Sequence, residues 1–226
     1  MYTRLIDLFG EENLQQLQNI NVLLVGVGGV GSFCFENLIR SGIRNMTIID
    51  FDTYEESNLN RQLHSNLDNI GHQKVKVLQE YAKKINPNIN LIAREEFLNQ
   101  SSTINFEDYD YIIDACDNIE AKVYLIKNAY QNNIKIISAL GIGNRLNIQD
   151  ITISKIFKTS NDPLAKKLRQ ALKKAGIIYD IPVVCSKELP IKKTPISSYM
   201  GVTATAGILL ADYAIKDVLN EKNRRN

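Results

Sequence analysis

The sequence predicts an α/β fold: a Rossmann-like, mostly parallel sheet with helices on both faces, plus a C-terminal extension with a basic helix. Three observations carry that expectation. Short Val- and Ile-rich runs alternate with longer segments of helical period. A glycine-rich turn follows the first run and opens a helix. Finally, 226 residues suffice for one domain with a real core and an extension.

In chain order, the strand candidates are Val22 to Val27, Met46 to Asp50, Ile89 to Ala93, Tyr111 to Asp114 and Ile134 to Ser138. Between them, Ser32 to Ser41, Gln73 to Ile85 and Ile119 to Gln131 read as helices, the second ended by Asn86-Pro87 because proline cannot continue the ladder. After about residue 145 the rhythm changes. Leu146 to Ile156 is strand-like, and a basic helix spans 162–175, with Asp162-Pro163 as N-cap and first helical residue and Gly176 as its stop. A loop containing Pro182, Pro190 and Pro195 leads to an apolar helix over 202–219, and the charged tail from Asn220 to Asn226 is expected to fray. The expected division is 1–156 for a nucleotide-binding domain and 157–226 for an extension packed on it.

Composition excludes the fibrous, low-complexity and disordered classes: 44% of residues are hydrophobic and 23% charged, with a net charge of +2. The charge is unevenly spread. Lys155, Lys158, Lys166, Lys167, Arg169, Lys173 and Lys174 face a single acid, Asp162, in one stretch, which predicts a basic face. Cys34, Cys116 and Cys185 have no paired spacing, so neither a disulfide framework nor a C-x-x-C zinc clip is expected, and no zinc. Charges stand in the first residues where a signal peptide needs an apolar stretch, and Gly201 to Ala211 falls short of the roughly 20 residues that span a bilayer. A cytoplasmic protein without a membrane partner is expected. His64 and His72 lack metal-ligand spacing and read as structural or surface residues.

Gly26-Val27-Gly28-Gly29-Val30-Gly31 lies between a strand and a helix, where glycines permit a tight turn and let a phosphate approach the helix N-terminus. Asp50 ends the second strand, where a carboxylate can accept hydrogen bonds from ribose hydroxyls. A dinucleotide would be the default ligand, but Asn58, Arg61 and Lys74 follow. Two cations and an amide suit a triphosphate better than a pyrophosphate held by backbone N–H groups. Asp114 and Asp117 end the fourth strand on the same edge, and either could hold Mg2+ together with phosphate oxygens.

These residues resemble the ubiquitin-activating-like adenylating enzymes, the family of the bacterial ThiF and MoeB proteins. The matching motifs are Gly-x-Gly-Gly-x-Gly at 26–31, Asp50-Phe51-Asp52, Ser57-Asn58-Leu59-Asn60-Arg61-Gln62, Gly71-x-x-Lys74 and Asp114-x-x-Asp117-Asn118. The resemblance implies adenylation: a carboxylate attacks the α-phosphate of ATP and pyrophosphate leaves. It implies ATP contacts from Gly26, Gly28, Gly29, Gly31, Asp50, Asp52, Asn58, Arg61, Gln62, Lys74, Asp117 and Asn118. Arg61, Lys74 and Asp117 would be catalytic, and Asp117 would hold Mg2+. Arg4 resembles the arginine that reaches the partner subunit's nucleotide, which implies a homodimer.

The stretch from Lys158 to Lys174 and then Val183 to Pro190 resembles the branch of that family that dehydrates threonylcarbamoyladenosine in tRNA. Members that activate sulfur-carrier proteins usually carry paired zinc-ligating cysteines in this region. The implied reaction adenylates the threonyl carboxylate and closes a ring as the tethered carbamoyl group displaces AMP, so no catalytic cysteine is required. The basic stretch would contact the tRNA backbone. A cysteine desulfurase system is a candidate partner. Two alternatives stay open: adenylation of the C-terminal glycine of a ubiquitin-like sulfur carrier, and a non-catalytic nucleotide-binding scaffold.

Overall fold

The computed structural model describes residues 2–225, with side chains described through Leu219. Two short helices come first, α1 (Thr3–Phe9) and α2 (Glu11–Asn19). The sequence pattern placed no helix or strand in this segment. Then follow β1 (Asn21–Val25), α3 (Gly31–Arg40), β2 (Asn45–Ile49), α4 (Lys74–Ile85), β3 (Asn90–Arg94), β4 (Tyr111–Asp114), α5 (Ile119–Gln131) and β5 (Lys135–Ala139). The last part of the chain holds β6 (Ile151–Lys155), α6 (Pro163–Lys174), β7 (Pro182–Ser186) and α7 (Met200–Arg225).

All seven strands form one sheet in the order β3-β2-β1-β4-β5-β7-β6. Every pairing is parallel except that of β6 with β7. The strands bury residues on both faces, as a helix-covered parallel sheet requires. Val22, Leu24, Met46, Ile48 and Ile113 point to a core shared with α3, α4 and α7. Their neighbours Leu23, Val25, Ile49 and Ile112 point to a second core filled by α5 and α6.

The segment from Pro182 is a strand, not the expected loop. Pro182 occupies its first position, where a missing N–H is tolerated, and Val183, Val184 and Cys185 are all buried. The strand expected over 146–156 is correspondingly shorter. Asn147 accepts a hydrogen bond from Gln149 N and caps a 3-10 turn at Ile148–Asp150, so the strand starts only at Ile151. The helix α6 begins as its sequence indicates: Asp162 Oδ1 accepts from Ala165 N at 3.0 Å. The backbone of α7 is helical beyond the expected end at Leu219. The frayed tail expected from Asn220 falls on side chains, and at Asn226 on backbone, that lie outside the described residues.

A close helix crossing fixes α7 over the start of α3. A Cβ on Gly207 would stand 2.2 Å from Val30 O and 2.8 Å from Phe33 Cβ, so only glycine lets the two backbones come this near. Among the described residues no helix is long and apolar enough to cross a membrane.

Candidate functional site

The strand order reverses between β1 and β4, and the glycine turn sits at the carboxyl ends of that pair, where open α/β sheets bind ligands. Gly26 has φ +84°, and a Cβ on it would lie 2.8 Å from Cys116 N. A Cβ on Gly31 would lie 1.9 Å from Gly26 O. Both glycines are dictated by backbone contact. No side chain caps α3, so no side-chain acceptor occupies the capping position at its N-terminus.

Asp50 pins this turn to the end of β2. Its Oδ2 accepts from Val27 N at 2.7 Å and its Oδ1 from Asp52 N at 2.9 Å. Burial raises its pKa, against the lowering effect of those two backbone donors. Each oxygen retains a second lone pair with which it can accept a ribose hydroxyl. Lys74, the first residue of α4, is buried, and its Nζ donates to Asp52 Oδ2 at 2.8 Å.

The loop between β2 and α4 supplies the remaining groups. Asn58 is buried and spends its side chain locally, accepting from Glu55 N at 3.2 Å and donating to Ser57 Oγ at 3.1 Å. Gln62 is buried beside the turn, its Nε2 3.8 Å from where a Cβ on Gly28 would be, and its Oε1 has no partner. Arg61 Cγ lies 3.5 Å from the corresponding position on Gly29, while its Nη1 donates to Ser57 O and, at 3.0 Å, to Asn60 Oδ1. Turn, Gln62, Arg61 and the Asp52–Lys74 pair thus share one edge of the sheet.

The two aspartates of β4 and its loop divide their tasks. Asp114 is fully buried and faces inward, its Oδ2 2.9 Å from Lys122 Nζ. Lys122 is equally buried and also donates to Ser138 Oγ at 3.1 Å and Ala139 O at 2.7 Å. Burial alone would neutralise this lysine; the adjacent Asp114 carboxylate overrides it and raises the pKa. Asp114 is therefore committed to a structural pair, whereas Asp117 is exposed on the loop next to Gly26. Mg2+ keeps several waters and takes one or two carboxylates plus phosphate oxygens, so a single accessible Asp117 fits such an ion. Asn118 caps α5 through Ala121 N at 2.9 Å.

Sequence reasoning missed Lys122, whose spacing from Asp114 resembles that of any surface lysine, and Thr203, whose Cγ2 lies 3.4 Å from the Cβ position on Gly29. Burial raises the pKa of all three cysteines, and Cys116 Sγ is turned 2.9 Å from Asp114 Oδ1. None is poised as a thiolate. His64 is structural: its Nε2 lies 3.2 Å from Glu36 Oε2 and its ring packs edge-on against Tyr81.

Lys155, Lys158, Lys166, Lys167, Lys173 and Lys174 are exposed, the last four on the face of α6 opposite buried Ala165, Leu168 and Leu172. Arg169 is turned differently, donating to Thr159 O at 3.2 Å and to the Thr159 hydroxyl, which secures the turn before α6. Arg4 is exposed on α1. Tyr2 OH, 3.4 Å from Ile39 O, places that helix at the far end of α3, about 15 Å from the glycine turn.

Residues 2–226 match the ThiF family. The chain belongs to that family. Among its relatives is the tRNA threonylcarbamoyladenosine dehydratase of Bacillus subtilis (strain 168), 35% identical over 94% of this chain and 92% of that protein. A dehydratase of the same name from Escherichia coli (strain K12) is 36% identical over 74% of this chain and 63% of its own length. The crystal structure of the E. coli tRNA N6-threonylcarbamoyladenosine dehydratase in complex with ATP superposes with a TM-score of 0.95, at 31% identity, covering 100% of this chain and 96% of that one. The α/β sheet with its helices, and the long C-terminal helix, match that structure.

Proposed function

We propose that this protein is an ATP-dependent tRNA threonylcarbamoyladenosine dehydratase. The observation that carries the reading is its likeness to a dehydratase along 94% of the chain, C-terminal third included, together with a nucleotide-shaped edge. The threonyl carboxylate attacks the α-phosphorus of ATP, forming an acyl phosphate and releasing pyrophosphate. The neighbouring carbamoyl group then attacks the activated carbonyl, and AMP leaves with the carboxylate oxygen. Because nucleophile and electrophile share one nucleoside, high effective molarity replaces an enzyme nucleophile, in keeping with three cysteines whose pKa values desolvation raises.

The chain's own groups do the positioning. The glycine turn and the uncapped α3 receive phosphate oxygens, and Gln62, with its unpartnered Oε1, lines the same cradle. Lys74 exchanges its bond to Asp52 for phosphate, and Arg61 exchanges Ser57 O and Asn60 for the same. Mg2+ held by Asp117 would screen the charge of the leaving pyrophosphate.

The protein acts as a homodimer in this reading. Arg4 lies too far from the glycine turn of its own chain, so it serves the site of a second copy. The exposed lysines from Lys155 to Lys174 contact tRNA phosphates. Residues 1–156 carry the nucleotide edge, and 157–226 form the extension that meets tRNA.

The test is incubation with ATP, Mg2+ and tRNA bearing the linear modification. The expected products are AMP and a nucleoside about 18 Da lighter, because closure by the tethered group expels the equivalent of one water. AMP formed only with a small carrier protein would instead assign the carrier reaction, and no AMP with either substrate would leave a scaffold.

A further inference from the structure

Between β7 and α7 the chain crosses the carboxyl edge of the sheet as an extended strap, residues 187–199, with no regular secondary structure. Its course is set by hydrogen bonds to two separate loops. Asn144, with φ +58°, uses every polar group it has: its N–H donates to Ser197 O at 2.7 Å and its C=O accepts from Ile191 N at 2.8 Å. Its Oδ1 accepts from Ser197 N at 2.8 Å and its Nδ2 donates to Lys193 O at 2.9 Å. At the far end Asn60, the neighbour of Arg61, donates from Nδ2 to Ser198 O at 2.9 Å. The strap then enters α7, where Thr203 adjoins Gly29. It therefore ends over the phosphate cradle.

The side chains it presents have one sign. Lys187, Lys192 and Lys193 are exposed. The single acid, Glu188, is turned inward, its Oε2 accepting from Leu146 N and Asn147 N, both at 3.0 Å. Apolar groups stand in water beside the lysines: Leu189, between Lys187 and Lys192, is 69% exposed, and Ile196, three residues past Lys193, 81%. Alternating cations and exposed apolar faces suit a single-stranded nucleic acid, whose phosphates take the charges while unstacked bases cover the apolar side chains.

Resting on the proposed tRNA reaction, we infer that this strap clamps the single-stranded nucleotides flanking the reacting nucleoside, and that Asn144 is the positioning residue that aims it. The helix α6 then grips backbone at a distance while the strap sets which nucleoside reaches the ATP. Lys192 and Lys193 are not among the groups that form the phosphate cradle, so their role separates from that of Arg61 and Lys74.

The experiment compares wild type with the double variant Lys192→Glu/Lys193→Glu and with Asn144→Ala, using unmodified tRNA in an anisotropy titration over a range of salt and ATP alone by calorimetry. The double variant should bind tRNA roughly tenfold more weakly at low salt, with a salt slope smaller by about 1.5, because two phosphate contacts are lost. Its ATP affinity should be unchanged. Asn144→Ala should raise KM for modified tRNA while leaving thermal unfolding of the sheet within a few degrees. The inference is overturned if the double variant keeps wild-type tRNA affinity and salt slope, or if it instead lowers self-association measured by sedimentation. The anisotropy and calorimetry readouts of the double variant need no turnover, so they judge the strap separately from the reaction: a wild type that binds tRNA through it but yields no AMP refutes only the reaction.

Discussion

Lys74 Nζ lies 2.8 Å from Asp52 Oδ2, yet the lysine side chain is 5% exposed and the aspartate 47%. The cation is held at the wall of the cradle by a partner that water can reach. When a triphosphate arrives, the lysine can turn to it while Asp52 is hydrated, so little is lost in the exchange. Replacing Lys74 by Met keeps the buried stem and removes the charge. AMP formation should fall by roughly 10^2 to 10^3 with unfolding temperature nearly unchanged, measured by rapid quench and calorimetry.

Arg61 presents a different balance, because its partners are a backbone oxygen and a neighbouring amide on the same loop. Arg61→Ala should raise the Kd for ATP by about tenfold or more and alter stability by less than about 0.5 kcal/mol. Unchanged nucleotide affinity would mean that the guanidinium stays on Ser57 when ATP binds.

The aspartates of the β4 edge give opposite outcomes. Asp114→Ala strands the fully buried Lys122 without its anion and should destabilise the fold by about 3–5 kcal/mol in urea titration. Asp117→Ala, on the exposed loop, should leave the urea midpoint in place and abolish the Mg2+ dependence of turnover. Equal effects of the two substitutions would contradict the division of roles.

Glu36, on the opposite face of the sheet, is an identifiable contributor to acid sensitivity. Burial raises the Glu36 pKa, but hydrogen bonds from His64, Arg40 and Tyr81 override it and hold the carboxyl down to about 2. A depressed carboxylate contributes stability above its unfolded value near 4.5 and loses that contribution as pH falls toward 2. Stability of the wild type should therefore drop between these limits, and Glu36→Gln should flatten that part of the profile while lowering stability at neutral pH. Denaturant titrations at stepped pH read both effects.

The parts of this architecture visible in the sequence are those specified locally. Gly26 and Gly31 announce a turn because each fits only without a Cβ, and Asp162-Pro163 announces a helix start because the cap and the ring act on adjacent residues. The edge that gathers Arg61, Lys74, Asp50 and Gln62 was readable through motif spacing. What escaped depends on groups distant in the chain. Lys122 becomes a buried cation only when Ser138 and Ala139 close over it. Pro182 to Ser186 reads as a proline-bearing loop until β5 and β6 offer partners on both sides. Asn144 is an ordinary turn residue in sequence, and its four bonds reach residues 191 to 197.

The placement of β7 between β5 and β6 fixes an order of assembly during synthesis. When β6 leaves the ribosome, the strand that joins it to the sheet is still some thirty residues behind, so the flank of β5 stays open. A nascent chain whose emerged part ends near residue 160 should display that bare edge to chaperones, and emergence past residue 190 should hide it. β7 is thus the latch of this flank, made after both strands it fastens.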